Sequence, residues 1–447
     1  MLAAILMPAT VPALAFAADE YRDTANKLID AAMADDAGLN RFEYLCYRIG
    51  NRVSGSQSLN KAIAWSVEEM KTAGLTNVRT IPVKVPHWVR GRESAAMLEP
   101  LEKPLFMLGL GGSVATPLEG ITADVVAVSG FDELEKLGKR GVEGKIVLYD
   151  APFVSYGQTV RYRMNGASRA ANLGAVAALV RSITPHSLRD PHTGAMQYSA
   201  SGPKIPTAAI SVEDAIWIHR LTQTGQRVRV HLAMEAHFEP DADSADVMGE
   251  IVGREKPDEV VVIGGHLDSW DVGQGAHDDG GGVMAALEAV ALMKKLGLQP
   301  RRTIRVVFWT NEENGGRGGV AYRKWAAEQV SKHIAAIEMD GGAERPIGFD
   351  LSPGNRAGWE SIRDRAMAIG ELLKPIDASS VVPGEGEADI EPLMAEGVPG
   401  FGLRTVATRY FDYHHSQADT FDKIVPDEFR RCTAAMAVMS YVLADWP

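Results

Sequence analysis

The chain has 447 residues, of which 46% are hydrophobic and 23% are charged. This balance is typical of a folded globular protein with two or three domains, and it excludes a peptide hormone or a disulfide-stapled miniprotein. The 46 Lys and Arg residues stand against 58 Asp and Glu residues, for a formal net charge of −12. Because such a charge opposes the phosphate neutralisation that drives nucleic-acid binding, we expect no nucleic-acid partner.

The N-terminal segment is small and apolar. Residues 15–17 read Ala-Phe-Ala, an A-x-A cleavage pattern, and the polar Asp19 follows. The segment is short for a bilayer span and contains Pro8 and Pro12. We therefore predict a signal peptide over residues 1–17, no stable membrane insertion, and export to the periplasm or the medium. No Lys or Arg precedes the apolar run, so either the signal is atypical or the true start lies upstream of Met1. A buried or frayed N-terminal helix stays open as the alternative to a signal peptide.

Helical and strand patterns follow one another after this segment. Helical spacing predicts a helix over residues 56–73 that ends at Gly74, and alternation predicts a strand over 78–85. The β-α-β patterns that come next indicate a separate domain over residues 94–240. Its predicted elements are a helical stretch ending near Gly174, a helix opened by the capping pair Ser211 and Asp214, and strands at 124–128, 145–149, 175–180 and 228–234.

From Asp246 onward the pattern changes to apolar strands followed by longer helices. Strands of this kind are typical of an α/β sheet that is covered on both faces. An amphipathic helix is predicted over residues 283–296, and a last helix over 427–443 packs its apolar residues inward. The predicted strands of this segment are 260–264, 304–309, 334–338 and 400–403. The two cysteines, Cys46 and Cys432, are far apart in the chain, so a disulfide between them stays open.

Polar side chains gather directly after these strands, where open α/β sheets form their ligand crevice. One cluster spans residues 266–283, a second spans 309–316 and a third spans 413–422, while Asp340 follows the strand at 334–338. Imidazole and carboxylate groups that converge from several strand ends are ligands that zinc accepts. The clusters together therefore predict a hydrolytic metal site.

Each of these residues also has a structural interpretation. A single histidine such as His266 is more often hydrogen-bonded than metal-bound, and Asp278 and Asp279 precede a helix whose dipole they would complement. Adjacent acids such as Glu312 and Glu313 usually lie on a solvated surface. Here they follow an apolar run and precede a glycine pair, which is the setting of a strand end. That position favours the metal site for the combined set.

These clusters, with HLDSWDVGQGAHDDGGG at residues 266–282, resemble the M28 family of co-catalytic zinc exopeptidases. The resemblance covers nearly the whole chain after the signal segment, because RVSGS at residues 52–56 also resembles the family. It implies a zinc-exopeptidase α/β/α sandwich with a mixed, mainly parallel sheet and an inserted protease-associated β/α domain. The implied division is 18–93 and 241–447 for the peptidase domain and 94–240 for the insertion.

The resemblance also implies a role for each site residue. Glu312 would be the general base, which takes a proton from water and delivers it to the leaving amine. Asp268 would hydrogen-bond the imidazole of His266 and fix its tautomer. A cis peptide is expected between Asp278 and Asp279. The implied ligands of two zinc ions are His266 and Asp340 for one, Glu313 and His415 for the other, and Asp278 between them; cobalt or manganese stay open.

Substrate contacts are implied on a narrower basis. His415 is assigned as the ligand because residues 415–420 match the family pattern His-Ser/Thr-x-x-Asp-Thr. Some family members have a tyrosine before this histidine as oxyanion donor; this chain has His414 there, which we interpret as a substrate or transition-state contact. Asp389 lies in a loop that resembles a cleft-lining loop, and Arg404 is a candidate partner for a substrate carboxylate. Loop capping and surface charge are the alternatives for these two, and His277 is expected to be a loop residue.

The implied activity is hydrolysis of short, unblocked peptides, dipeptides in particular, as in a carboxypeptidase branch of the family. A homodimer is implied by analogy. Two alternatives stay open, an aminopeptidase with the same metal core and a non-catalytic binding protein that has lost its metals. The chain contains no G-x-S-x-G, P-loop or H-E-x-x-H motif, and the glycines at residues 109–112 lack the spacing of a dinucleotide-binding loop. These absences argue against a serine hydrolase, a kinase or an NAD enzyme.

Overall fold

The computed structural model describes residues 18–186, 188–353 and 359–447. The signal peptide predicted over residues 1–17 lies outside the described residues. Within this part of the chain the strands form two sheets of eight strands each. The strands are β1 Thr76–Val89, β2 Glu93–Glu99, β3 Lys103–Leu105, β4 Met107–Gly109, β5 Ile121–Val128, β6 Ile146–Tyr149, β7 Ala177–Arg181, β8 Thr207–Ile210, β9 Arg229–Met234, β10 His237–Ile251, β11 Lys256–His266, β12 Arg302–Trp309, β13 His333–Glu338, β14 Pro346–Ser352, β15 Ser380–Pro383 and β16 Gly400–Thr405.

Helices join and cover these strands. The α-helices are α1 Arg22–Ala34, α2 Ala37–Tyr44, α3 Gln57–Thr72, α4 Phe131–Val142, α5 Tyr156–Thr159, α6 Arg161–Asn172, α7 Val212–Gln223, α8 Gly281–Lys295, α9 Arg317–Ala326, α10 Trp359–Gly370, α11 Glu391–Met394, α12 Tyr410–Tyr413 and α13 Pro426–Asp445. Short 3-10 turns occur at Ala327–Lys332, Glu371–Ile376 and Phe421–Lys423, and π-helical turns occur at Leu45–Ile49 and Ala276–Gly280.

The first sheet has the order β1-β10-β12-β11-β13-β16-β14-β15. Four of its neighbouring pairs, β11/β12, β11/β13, β13/β16 and β14/β15, are parallel, and the other three are antiparallel. The prediction of a mixed, mainly parallel sheet is therefore confirmed. Val261 and Ile263 face a large core under α1, α3, α8 and α13, while Val260 and Val262 face a smaller core under α9. Alternate side chains of β11 therefore face opposite cores. Because the strand is buried on both faces, residues 260–263 are all apolar.

The helix predicted over residues 283–296 forms as α8, but its predicted amphipathic character is wrong. Its residues from Gly281 to Val290 are all buried. Small glycine and alanine side chains let it lie closely between the sheet and the helices α2 and α13, so it has almost no solvated face. The predicted last helix and the predicted helix near residue 56 are confirmed as α13 and α3, and the Ser56 hydroxyl accepts from Leu59 N at 3.1 Å as an N-cap.

A buried hydrogen-bond chain lies in the smaller core, away from the polar clusters. Arg305 Nη1 donates to the Tyr322 hydroxyl, which lies 2.9 Å from His333 Nε2, and His333 Nδ1 lies 2.9 Å from the Gln329 carbonyl. A carbonyl only accepts, so Nδ1 carries the hydrogen and Nε2 accepts from Tyr322. Burial, with the nearby charge of Arg305, lowers the pKa of His333 to about 4.

The second sheet is built from residues between Glu93 and Met234, in the order β3-β2-β9-β5-β6-β7-β8-β4. The predicted strands near β5, β6, β7 and β9 are confirmed. The strands β2, β3, β4 and β8 were not predicted; β3, β4 and β8 have only three or four residues, which is too short to show a clear period. The Ser211 hydroxyl accepts from Asp214 N at 3.1 Å, as a capping box requires. The Asp214 carboxylate does not return the bond, since it accepts from Lys103 Nζ and Phe106 N.

The two cysteines are buried free thiols. Cys432 Sγ donates to the Glu344 carbonyl at 3.1 Å. The disulfide that the sequence leaves open is therefore absent.

Candidate active site

The parallel strands bring three of the polar clusters to one edge of the first sheet. His266 is the last residue of β11 and pairs with Trp309, the last residue of β12. Gly264 pairs with Glu338, the last residue of β13. Side chains that follow these strand ends in sequence therefore meet, as in the ligand crevices of other α/β sheets. Each strand end is buried, so the polar groups gather under a cover of protein.

Asp278 lies at the centre of the site, in the π-helical turn before α8. The peptide between Asp278 and Asp279 is cis, as the family resemblance predicts. The carboxylate of Asp419 accepts from His277 N at 2.6 Å and from Asp278 N at 3.2 Å, and so holds this turn. The two oxygens of Asp278 point to different partners. Oδ1 lies 3.2 Å from His266 Nε2, and Oδ2 lies 3.2 Å from His415 Nε2.

Each of these histidines also meets a second carboxylate. His266 Nε2 lies 3.3 Å from Asp340 Oδ1, and His415 Nε2 lies 3.1 Å from Glu313 Oε2. Despite these short distances, Asp278 Oδ2 is buried without a well-aligned hydrogen-bond donor among the described residues. A buried carboxylate oxygen is normally hydrogen-bonded or bound to a cation. The donor set, two imidazoles and three carboxylates, suits divalent zinc.

Asp279 and His414 also lie within reach of a bound ion. One group of possible ligands is Asp278, His414 and His415, and another is His266, Asp279 and Asp340. The Asp279 carboxylate, however, accepts from His266 N at 3.1 Å and from Gly282 N at 2.9 Å, so it orders the main chain. His414 Nε2 lies 3.5 Å from Asp278 Oδ2, and its ring stacks on that of His415.

Asp268 holds two parts of the site, in a way that differs from the predicted carboxylate contact. His266 Nδ1 lies 3.0 Å from the main-chain oxygen of Asp268, whereas its distance to the carboxylate Oδ1 is 3.9 Å. Because a carbonyl only accepts, Nδ1 donates and Nε2 is left free to bind a cation. The carboxylate accepts instead from Glu312 N at 3.1 Å and from Glu313 N at 3.4 Å. Asp268 therefore orients both the imidazole and the turn after β12.

Burial and clustered charge shift the pKa values of the central acids in opposite directions. Burial raises the pKa of Glu312 well above its usual value, and the charges of Asp340 and Glu313 act in the same sense. Burial also raises the pKa of Glu313, to about 7. Burial alone would raise the pKa of Asp278, but the neighbouring imidazoles of His266 and His415 lower it well below 3.8. Burial is the main cause of both upward shifts, and the charges of neighbouring acids add to it.

The site opens into a cleft of about 640 Å³ between the two sheets. The first sheet's domain contributes acids and imidazoles that include Asp278, Glu312, Glu313, Asp340, Glu387, His414 and His415. The domain of the second sheet contributes Gly111, Gly112, Tyr156, Arg163, Met164 and Gln197. Glu387 has no hydrogen bond or ion pair with any residue in the described part of the chain.

Three other predicted residues lie away from the cleft lining. Asp389 is 2% exposed, and its two carboxylate oxygens have no hydrogen-bond partner among the residues the structure describes. Its main-chain N donates to Glu338 at 3.1 Å. Arg404 lies in β16, opposite Gly348 of β14. His277 is buried, and its ring stacks on that of Tyr413. Neither Asp389 nor Arg404 reaches the cleft.

Sequence reasoning did not assign a role to three residues that hold the site. Arg52 is fully buried, and its guanidinium donates to the carbonyls of Gly50, Leu267, Gln274 and Gly275. Its place in the RVSGS segment, which resembles the family, could have indicated a role for Arg52 in the site. Asp419 belongs to the matched His-Ser-x-x-Asp-Thr pattern, so its role was within reach. Arg163 contacts His415 from the other domain, and no local pattern marks such a contact.

The acids gathered at the strand ends, the imidazoles of His266 and His415 beside them, and the enclosing cleft define a candidate metallohydrolase site. Residues 246–440 match the model of peptidase family M28. The chain is 45% identical to carboxypeptidase Q of Xenopus laevis over 95% of this chain and 90% of the relative, and 42% identical to that of Homo sapiens over 95% and 89%. A solved peptidase M28 precursor from Shewanella amazonensis SB2B superposes with a TM-score of 0.91 at 34% identity, over 96% of this chain and 97% of the other.

The chain therefore belongs to peptidase family M28, and it is similar to carboxypeptidase Q. Its substrates are peptides. In the described residues, no helix combines the length and the apolar character needed to span a bilayer.

Proposed function

We propose that this chain is a zinc-dependent exopeptidase that hydrolyses short, unblocked peptides. The observation that carries the proposal is the position of Asp278, whose two oxygens are divided between two separate imidazole and carboxylate pairs. A carboxylate shared in this way suits two cations better than one. His266 and Asp340 would hold one zinc ion, His415 and Glu313 the other, and Asp278 both.

The donor chemistry supports zinc, since imidazole nitrogen and carboxylate oxygen are its usual ligands in hydrolases. Bound zinc supplies Lewis-acid polarisation of the scissile carbonyl and favours ionisation of water near neutral pH. Asp278, Glu313 and Asp340 present three carboxylates to two imidazoles, so a bound cation would balance part of their negative charge. Cobalt and manganese accept the same donors, so metal analysis of freshly purified protein is the direct measurement.

Glu312 is the proposed general base. Its side chain lies in the cleft, and the main-chain bonds to Asp268 hold the turn that carries it. A carboxylate in this place takes a proton from the attacking water at one oxygen and then delivers that proton to the leaving amine nitrogen. Glu313 cannot take this role while it faces His415 as a ligand. The two adjacent glutamates therefore have different tasks.

The size and the lining of the cleft favour short peptides as substrates. The domain of the second sheet, which we propose is protease-associated, covers the site, and a volume of about 640 Å³ accommodates a small peptide. His414 lies beside Asp278 and faces the cleft, so we propose it as a contact of the reacting carbonyl. Glu387 is a carboxylate in the lining, with Asp340 and Asp350 as charged neighbours. Such an anionic pocket favours the free ammonium group of an unblocked peptide.

The experiment that tests this function compares three substrate classes on one zinc-loaded preparation. We expect rapid cleavage of free dipeptides, slower cleavage of N-acetylated dipeptides and little cleavage of amino-acid anilides. Strong anilide cleavage with weak dipeptide cleavage would favour the aminopeptidase alternative instead. Absence of both zinc binding and hydrolysis would favour a non-catalytic binding protein.

Export and dimerisation remain predictions. The export proposal depends on residues 1–17, and N-terminal sequencing of protein secreted from an expressing cell tests it. The homodimer rests on analogy with the family, and sedimentation of the purified chain tests it. Neither affects the chemistry proposed above.

A further inference from the structure

One wall of the cleft carries a buried cation without an anionic partner. Arg163 lies in α6 of the second sheet's domain and is 4% exposed. None of its hydrogen-bond partners among the described residues is a carboxylate. It is also the only lysine or arginine among the described residues that line the cleft. Because a buried charge is normally paired, this wall favours a ligand that brings a negative charge.

Tyr156 presents a hydroxyl group beside this cation. Arg163 Nη2 donates to the hydroxyl oxygen of Tyr156 at 2.8 Å. Since a guanidinium only donates, the hydrogen of the hydroxyl group points elsewhere. No residue in the described part of the chain accepts that hydrogen. Tyr156 lines the cleft and is only partly buried, so the hydrogen is available to a ligand in the cleft.

The second tyrosine of the cleft lining differs from Tyr156 as a hydrogen-bond donor. The Tyr410 hydroxyl donates to the Asp340 carbonyl at 3.3 Å, so its hydrogen already has an acceptor. The bond from Arg163 also polarises the O–H group of Tyr156 and makes it a stronger donor, because hydrogen bonds in a chain reinforce one another. Tyr156 is therefore the tyrosine that suits an anionic ligand.

The ring of Tyr156 lies beside the residue that we propose as a contact of the reacting carbonyl. It packs edge-on against His414, with 5.0 Å between the ring centroids, and it stacks on Phe411. In a dipeptide, only the amide nitrogen and an α-carbon separate the scissile carbonyl carbon from the carboxylate carbon. The carboxylate of a peptide bound at His414 therefore comes close to the same wall. Arg404, the residue expected to pair with that carboxylate, does not line the cleft.

We propose that the Tyr156 hydroxyl group, together with the charge of Arg163, binds the C-terminal carboxylate of the substrate peptide. This inference rests on the proposed function and identifies the residues that bind one terminus of the substrate. Glu387, which we propose for the substrate ammonium group, lines the same cleft from the first sheet's domain. Because a short unblocked peptide is a zwitterion, its two ends would meet charges of opposite sign from the two domains.

The test compares free dipeptides with the corresponding dipeptide amides on the zinc-loaded full chain. The amides carry a neutral group in place of the carboxylate. A hydrogen bond to a charged group typically contributes about 10–100-fold to binding. We expect Tyr156→Phe to raise the KM for free dipeptides by about that factor, with kcat nearly unchanged, and to leave the KM for the amides unchanged. In the wild-type protein, the KM should be higher for the amides than for the free dipeptides.

Tyr162→Phe is the matched control. Arg161 Nη2 donates to the Tyr162 hydroxyl at 2.9 Å, so this variant loses the same atom from the same kind of pair. Tyr162 lies in α6 with Arg163 but does not line the cleft. We expect its kinetics on both kinds of substrate to match those of the wild-type protein.

Three results would overturn the inference. One is an unchanged KM for free dipeptides in folded Tyr156→Phe. Another is an equal loss on free dipeptides and amides through kcat, which would make Tyr156 a contact of the reacting carbonyl instead. The third is a wild-type KM that is the same for both kinds of substrate, and this result decides the question if Tyr156→Phe fails to fold by circular dichroism. Failure of the zinc-loaded wild-type chain to hydrolyse any peptide would instead contradict the proposed function.

Discussion

Replacing Glu312 with glutamine removes the proposed proton acceptor and leaves its support in place. The main-chain bond from Glu312 N to the Asp268 carboxylate, 3.1 Å long, does not involve the changed atoms. Glutamine has nearly the same shape but cannot take a proton. Loss of a general base typically costs ~10²–10⁴-fold in rate, and at about 1.36 kcal/mol per tenfold this is roughly 3–5 kcal/mol of transition-state stabilisation.

The assay follows dipeptide turnover and zinc content on the same sample. We expect Glu312→Gln to keep its zinc, since Glu312 belongs to neither ligand pair, and to lose turnover by the factor above. Glu313→Gln is the matched comparison, because the neighbouring carboxylate lies 3.1 Å from His415 Nε2 and should lose zinc together with activity. Near-normal turnover of zinc-loaded Glu312→Gln would refute the assignment of the base.

Three further outcomes are expected. The folded protein holds His333 at a pKa of about 4, below its ordinary 6.5, so the stability of its neutral ring is present above about pH 6.5 and is lost as the pH falls towards 4. The loss is at most about 3 kcal/mol, and unfolding titrations of His333→Gln should lack this part of the pH dependence; an unchanged slope contradicts the assignment. Leu287→Ala, at a fully buried position of α8, should lower the free energy of unfolding by about 2–5 kcal/mol in denaturant titrations; a loss well below that range would show that the core relaxes into the space. Glu387→Gln should raise the KM for free dipeptides and leave that for N-acetylated dipeptides nearly unchanged; equal effects on both would exclude an amine contact.

Long apolar strands and helices of the first sheet were predictable from local pattern. The strands β11, β12 and β13 each contain a short apolar run, and such runs identify strands that are buried on both faces. The helix α8 shows the limit of this reasoning. Its sequence predicts a helix correctly, but its burial depends on α13, which lies more than 130 residues later. A helix's surroundings are a property of the whole fold.

The candidate site also combines features that the sequence predicts with features that depend on the tertiary structure. The chemistry of the set, with His266, Asp278, Glu313 and His415 among its members, follows from residue type and from position after strands, because parallel strands end at one edge. Which atom of Asp268 meets the imidazole does not follow, since the main-chain oxygen and the carboxylate are equally near in sequence. Only the path of the chain after β11 decides it.

The amino-acid sequence by itself determined the class of fold, the polar clusters and the family, because these depend on short periodic patterns and on residue types. The tertiary structure alone decided how the two domains meet. Asp389 is buried and does not line the cleft, Glu387 lines it, and Arg163 reaches His415 across 252 residues of chain. Contacts of this kind depend on the docking of separately folded surfaces, and no local pattern in a sequence records that docking.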